Sequence, residues 1–382
     1  MTDQDTERPQ TLTTRFGARS RSPSFGEAIE KPTALSPDET QLENSGSPLD
    51  EENSTFGSPH GRSSFDDDND STFEEDDQST VSLGEECKKI INGREYTTII
   101  PDVHSWTTTE DRSLEMMDIM HDAATKLFDE KLCQAPVMDG AQRVLDVGTG
   151  TGIWAIDFAE SNPQAEVIGS DISTIQPPEV PPNLTIEIDD FNRSWTWKAN
   201  HFDYIHLRNL AGNVPDWPHL FGQAFECLRP GGYLESHEQS LCFYSEDPSL
   251  NDPQLEKLVK AIETWNSIFR SMEEKLQRSF TVADDETHGE AMNKAGFVDL
   301  KRYYKPIPIG DWPKDGLLKE IGRFLQAALL VDLEGLLNYP ATQLGWNFQQ
   351  VVMFLVGVRT ALQCRKLRLY TKVVVFVGRK PG

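Results

Sequence analysis

Nine consecutive residues, Val144-Leu145-Asp146-Val147-Gly148-Thr149-Gly150-Thr151-Gly152, set an acid and three alternating glycines at the end of an apolar run. Glycine lets a backbone turn sharply and come close to a ligand, and a helix starting there offers unpaired N–H groups. The pyrophosphate loop of a dinucleotide site uses the spacing G-x-G-x-x-G, whereas the spacing here is G-x-G-x-G. A carboxylate at Asp146 beside the loop repels phosphate and favours a ligand carrying an ammonium group. A second acid, Asp171, ends the next apolar run, Val167-Ile168-Gly169-Ser170-Asp171, 19 residues beyond Gly152. An acid at that place hydrogen-bonds ribose hydroxyls; taken alone, Asp171 is equally a turn or cap residue. A third run, Ile186-Glu187-Ile188, ends in Asp189-Asp190-Phe191. The Asp190 carboxylate and the Phe191 N–H suit the edge of an adenine ring, and the plainer alternative is the start of a solvated turn.

A ligand with an ammonium group, a ribose and an adenine but no pyrophosphate is S-adenosylmethionine. The loop spacing and Asp146 disfavour NAD and an oxidoreductase. The expected donor-binding set is Asp146, Gly148, Thr149, Gly150, Gly152, Asp171, Ile172, Asp190, Phe191 and Arg208, the last following the fourth apolar run. Methyl transfer needs an acceptor held in line with the sulfonium, so positioning does most of the work. A base is needed only when the acceptor must lose a proton. The candidates are His237, with Glu238 to orient it, and His206; for each the plainer reading is a buried or rim histidine with a hydrogen-bond partner. Arg112 pairs either with the methionine carboxylate or with its neighbours Glu110 and Asp111. Trp195, Trp197, Trp217 and Trp312 either shape an acceptor pocket or pack the core. The five cysteines, Cys87, Cys133, Cys227, Cys242 and Cys364, lack metal-ligand spacing, so no metal site is expected.

These residues need elements to position them. Residues 109–132 carry an apolar stripe of helical period, including Leu114, Met117, Met120, Ala124 and Leu127. Short apolar runs at 143–147, 166–170, 184–188, 202–207 and 233–236 then alternate with helix-length stretches at 153–161 and 220–228. That rhythm implies a parallel sheet with helices on both faces. Arg229-Pro230-Gly231-Gly232 reads as the turn between a helix and the fifth strand. Helices are expected at 254–276 and 288–295, a strand at 300–304, a helical insert at 314–368 and a last strand at 370–377. Val351 to Val358 reads as a buried helix and Val373 to Val377 as a buried strand.

Composition divides the 382-residue chain in two. Residues 1–86 hold 21 Asp and Glu against 6 Lys and Arg, a net charge of −15, with few aliphatic residues. Such a segment buries too little apolar surface to offset the entropy of ordering it, so an acidic disordered tail is expected, dispensable for ligand binding. The acidic block 65–77 within it is a solvated linker or a motif for a basic partner. Residues 87–382 suffice for one folded domain, with a binding core at 143–238. A net charge of −26 weighs against direct nucleic-acid and anionic-membrane binding. No apolar run reaches the length of a membrane span, the start is polar, and scattered cysteines in odd number suggest reduced thiols, hence an intracellular protein of cytoplasm or nucleus.

Residues 143–238 resemble class I methyltransferases, with VLDVGTGTG, GSDIS, IDDF, FDYIHLRNL and LRPGGYLE in that order. More narrowly, the stretch from Gly148 to Asn183, with Gly152-Ile153-Trp154-Ala155 and Ile175-Gln176-Pro177-Pro178, resembles the fungal LaeA-like, or TAM-domain, methyltransferases. Glu110-Asp111-Arg112 and the ending Val377-Gly378-Arg379-Lys380-Pro381 resemble other segments of that family, so the likeness covers residues 94–381. The resemblance implies a Rossmann-like fold with a seven-stranded, mostly parallel sheet whose last strand is antiparallel, and S-adenosylmethionine across the carboxyl ends of the first strands. It implies a methyltransferase with an unidentified acceptor, small molecule or protein, linked to fungal secondary metabolism or its regulation. The alternative is a cofactor-binding regulator or scaffold acting through protein partners with little methyl transfer of its own. The insert at 314–368 is expected to sit over the ligand face as a lid on the acceptor side.

Overall fold

The structure, a computed structural model, describes residues 87–98, 100, 105–138, 140–247 and 252–382. The expected acidic tail, its acidic block included, lies outside the described residues. An antiparallel hairpin comes first, β1 (Cys87–Ile91) and β2 (Arg94–Thr98). Helix α1 (Asp111–Leu127) leads into the alternating core: β3 (Arg143–Val147), α2 (Ile153–Ser161), β4 (Glu166–Asp171), β5 (Leu184–Ile188), β6 (Phe202–Arg208), α3 (Trp217–Cys227) and β7 (Leu228–Gln239). There follow β8 (Tyr244–Ser245), α4 (Glu256–Leu276), α5 (Val282–Asp285), α6 (Thr287–Ala295), β9 (Val298–Pro308), α7 (Gly316–Gln343), α8 (Phe348–Gln363) and β10 (Leu369–Arg379).

The main sheet runs β5-β4-β3-β6-β7-β10, with β9 and the two-residue β8 both pairing with β10. Strands β3 to β7 are mutually parallel, and β10 is antiparallel to β7, β8 and β9. The seven strands expected from the resemblance are therefore present, and β8 is an eighth. Side chains alternate across the sheet as strand geometry requires. Val144 of β3, Tyr204 of β6 and Val373, Val375 and Val377 of β10 join a core with α1, α2, α4, α7 and α8. Leu145, Val147, Ile205, Leu207, Val374 and Phe376 join the opposite core with α3, α5 and α6.

Helix ends follow local chemistry. Helix α3 starts earlier than the apolar pattern suggests because the Asp216 carboxylate caps His219 N–H and Pro218 fits the first turn. Asp315 caps α7, and Asn347 with Gln350 forms a reciprocal capping box on α8. Only one face of α8 is buried, through Val351, Leu355 and Val358, while Val352, Met353 and Val356 are exposed. The reading of 351–358 as a wholly buried helix is thus corrected to an amphipathic one.

Helix α7 is interrupted at Asp332, whose φ of −141° and ψ of 49° are not helical. Its carboxylate leaves the helix to meet Arg94 of β2, with Oδ1 2.8 Å from Nη1 and Oδ2 2.7 Å from Nη2. Ser113 of α1 donates to the same carboxylate, Thr108 accepts from Arg94, and Glu110 takes Arg94 Nε at 2.6 Å. Both ends of the central pair are almost fully buried, 3% and 0% exposed. Burial works against charge on Asp332, yet hydrogen bonds from Arg94 and Ser113 hold its carboxyl below the usual value. Asn338, further along α7, donates to Ile91 O and Tyr96 Oη and accepts from Asn92. Hairpin, α1 and α7 are therefore bolted together by polar groups rather than by apolar packing alone.

Candidate active site

The carboxyl ends of β3, β4 and β6 meet where the strand order reverses between β3 and β6, the place where open α/β sheets bind ligands. A cavity of about 350 Å³ opens there. Of the ten residues expected to bind the donor, nine line it: Asp146, Gly148, Thr149, Gly150, Asp171, Ile172, Asp190, Phe191 and Arg208. Gly152 does not; it caps α2 with a φ of 77°. Gly148 and Gly150 have φ of 65° and 59°, in the left-handed region that favours glycine. They differ in surroundings. A Cβ on Gly148 would lie 2.6 Å from Leu210 Cδ2, whereas a Cβ on Gly150 would meet nothing closer than Met117 Sδ at 3.8 Å.

Two struts hold the loop in shape. Asp171 Oδ2 accepts Gly150 N–H at 2.8 Å while Oδ1 accepts Ser173 Oγ at 2.7 Å, and burial raises its carboxyl above the usual value. Gln176 Nε2 donates to Gly150 O at 2.7 Å, which gives the Ile-Gln-Pro-Pro signature a physical task. Asp146 departs from expectation. One of its oxygens takes the Thr149 hydroxyl at 2.6 Å and the other His206 Nδ1 at 2.7 Å, so it organises the loop rather than presenting a free carboxylate to an ammonium group.

The histidines separate cleanly. His206 is fully buried, stacked on Trp154 with ring centroids 3.7 Å apart, and does not line the cavity. His237 does line it, and burial, then the Arg208 charge, hold its ring well below the usual histidine value. Glu238 does not orient His237. Its two oxygens accept Leu210 and Ala211 N–H at 2.9 and 3.2 Å, and burial pushes its carboxyl up to about 8. The neighbouring Glu235 likewise accepts Gln134 and Ala135 N–H and is pushed by burial up to about 7. Arg112 is exposed and does not line the cavity, and of its two neighbours Glu110 is held by Arg94 and Glu95 N–H.

Arg208, unlike Arg112, lines the cavity. Its Nη1 donates to His121 Nδ1 at 3.0 Å, and His121 Nε2 lies 3.0 Å from Asp157 Oδ2, which fixes the proton of the neutral ring on Nε2. Burial disfavours the Arg208 charge and Asp146, Asp157 and Asp118 support it, but among the described residues no carboxylate forms an ion pair with it. None of Trp195, Trp197, Trp217 and Trp312 lines the cavity; Trp195 and Trp197 pack edge to face, Trp217 against Phe221, and Trp312 bonds Leu369 O. The apolar lining comes instead from Trp106, Met116, Met120, Phe243, Trp265 and, from α7, Leu329 and Leu336. Sequence periodicity marked α1 as a helix but gave no sign that its methionines face a ligand.

The loop fits S-adenosylmethionine on three counts: a Cβ-free backbone at Gly150, the start of α2, and a cavity-facing cation that pairs with no carboxylate among the described residues. Comparison with known proteins agrees. A family described as a methyltransferase domain matches residues 109–301, half of the chain. The chain is 32% identical over 273 residues to the methyltransferase pytC of Aspergillus terreus, covering 71% of this chain and 81% of that one. It is 32% identical over 300 residues to a secondary metabolism regulator of Cochliobolus heterostrophus, covering 76% and 94%. It is 28% identical over 297 residues to the secondary metabolism regulator laeA of Aspergillus fumigatus, covering 76% of each. Among solved structures it is similar to a Haemonchus contortus phosphoethanolamine N-methyltransferase, at 17% identity and a TM-score of 0.43, covering 74% of this chain and 62% of that one. The chain belongs to the methyltransferase-domain family and, within it, to the fungal LaeA-like class I methyltransferases.

Proposed function

We propose that the chain is an S-adenosylmethionine-dependent methyltransferase, and one observation carries the reading: a largely enclosed Arg208 lines the same cavity as the glycine loop and pairs with no carboxylate among the described residues. A cation in that position calls for an anionic ligand group, and the methionine carboxylate is one. Asp171 then serves the ribose, Asp190 and Phe191 N–H the adenine, and Gly150 the close approach of the ligand to backbone. His121 and Asp157 act behind Arg208, fixing the guanidinium plane. When bound, the donor supplies an electrophilic methyl carbon on sulfur and keeps the bonding electron pair as a thioether. His237 faces the same cavity, and its neutral ring accepts the proton of an acceptor hydroxyl as that oxygen bonds the methyl carbon. Helix α7 of the insert forms the acceptor-side wall through Leu329 and Leu336.

A second reading, a regulator acting through protein partners with little methyl transfer of its own, draws on the relatives whose names say secondary metabolism regulator. Free thiols at Cys133, Cys227, Cys242 and Cys364 support an intracellular setting. Among the described residues no helix is long and apolar enough to cross a membrane.

Calorimetry on Arg208→Met tests the leading reading. Losing a hydrogen bond to a charged group costs about 1.5–3 kcal/mol, so S-adenosylhomocysteine should bind about tenfold to a hundredfold more weakly. 5′-Methylthioadenosine, which lacks the amino-acid end, should bind the variant as it binds the wild type. Equal losses for both ligands, or none for either, would remove Arg208 from the carboxylate site.

A further inference from the structure

The cavity continues past the donor-binding loop into a chamber whose walls come from α1, β7, the segment after β7, α4 and α7. Its apolar surface is contributed by Met120, Phe243, Trp265, Leu329 and Leu336. Phe243 and Trp265 are buried and stacked, with centroids 5.2 Å apart and planes 15° from parallel, and Trp265 Nε1 is already spent on Leu241 O at 2.8 Å. That pair therefore backs the chamber with apolar atoms and offers no donor to a ligand. The polar residues around the chamber are His237, Gln239, Ser240 and the threonines of the 105–109 segment. Its cation is Arg278, half-buried, which among the described residues pairs with no carboxylate. Among the described residues no Asp or Glu lines this part of the cavity; the lining acids, Asp146, Asp171 and Asp190, belong to the donor side and are engaged there.

A protein lysine or arginine acceptor brings a cation, and a chamber for it would need carboxylates to offset the loss of hydration. This chamber presents the opposite balance. We propose that the acceptor is a small, flat, largely apolar molecule bearing an acidic oxygen, a carboxylate or a phenol, with its ring against Trp265, Phe243, Leu329 and Leu336 and its charge toward Arg278. The inference rests on the donor lying at the glycine loop, since that assignment makes the remaining chamber the acceptor's.

The test uses the full chain saturated with S-adenosylhomocysteine, so that probes cannot enter the donor site. Three probes of one shape are titrated by tryptophan fluorescence and calorimetry: 2-naphthoic acid, 2-naphthamide and 2-naphthylmethylamine. Naphthoate should bind best, the amide about tenfold more weakly, in line with loss of one charge-assisted contact, and the amine not measurably. Arg278→Gln should erase the preference for naphthoate over the amide, and Leu336→Trp should abolish naphthoate binding by filling the chamber. Affinity for S-adenosylhomocysteine, measured separately, should stay unchanged in both variants. Normal cofactor binding with no naphthoate binding, with the amine preferred, or with methyl transfer to a lysine peptide overturns the acceptor assignment and leaves the donor site standing. Failure of the wild type to bind S-adenosylhomocysteine instead overturns the donor reading on which it rests.

Discussion

The donor half and the acceptor half of the cavity are built in different ways. The donor half draws on residues 146–208, where each group sits at or just after the carboxyl end of a parallel strand and much of the contact surface is backbone. The acceptor half draws on residues scattered from Trp106 to Leu336, most of them on helices or loops rather than at strand ends. Backbone binding of a common ligand tolerates change in most side chains, provided glycines and strand-end acids remain. A wall of side chains on helices can be altered one residue at a time. The fold thus separates a conservative task from a variable one, and joins them at a single histidine-lined seam, His237.

The sharpest way to break this division lies in the bolt beneath the acceptor wall. Asp332→Ala removes the bidentate partner of the nearly buried Arg94 guanidinium and leaves it to Glu110 at 2.6 Å, so the loss should fall at the low end of the about 3–5 kcal/mol that breaking a buried pair costs. Urea unfolding should show that loss, and naphthoate binding should weaken before donor binding does, because Leu329 and Leu336 flank the kink. Donor and probe affinities falling together would mean that the halves are not separable. Next in size is Gly150→Val. The left-handed φ costs a non-glycine residue about 1–2 kcal/mol, and the side chain enters open cavity space. Cofactor affinity should fall on the order of a hundredfold, about 2.8 kcal/mol, with the chain still folded. Gly148 is the poorer probe, because its Cβ would displace Leu210 and confound binding with packing.

A further test concerns pH. Glu238, raised from 4.5 to about 8, binds its proton more readily in the native chain than in the unfolded one. Its stabilising contribution is whole below pH 4.5 and is lost as pH climbs through about 8. Across that window it removes up to about 1.4 kcal/mol of stability per pH unit. Glu238→Gln, which cannot ionise, should flatten the decline measured by thermal unfolding between pH 5 and 8. His237, held low by burial, adds no histidine step near pH 6.5 to a rate profile.

How much was legible in the sequence follows the same division. Strand-end acids and alternating glycines are local patterns, and they mark the parallel sheet and nine residues that line the cavity out of the ten expected to bind the donor. Reading chemistry from neighbours in sequence went astray where partners come from afar. Asp146 was assigned a ligand ammonium but meets His206, 60 residues away. Glu238 was assigned to His237 because they are adjacent, yet neighbours on a strand point to opposite faces. The tryptophans were chosen by size alone, and none of the four chosen lines the cavity, whereas Trp106, Trp154 and Trp265 do. Arg94 carried no local mark, because its meaning depends on Asp332, 238 residues on.

That long connection limits how acceptor preference can be redesigned. The insert is bounded by two short joints and looks like a cassette that could be exchanged between relatives. It is not one, because the kink in α7 is shaped to an arginine on the hairpin, a serine on α1 and an asparagine pair at Asn92 and Asn338. A graft of residues 314–368 alone would seat a foreign helix over a buried guanidinium that keeps Glu110 but loses its bidentate carboxylate. The exchangeable unit is discontinuous: hairpin, first helix and insert travel together, or the chimera begins with a buried arginine whose terminal nitrogens have lost their acceptor.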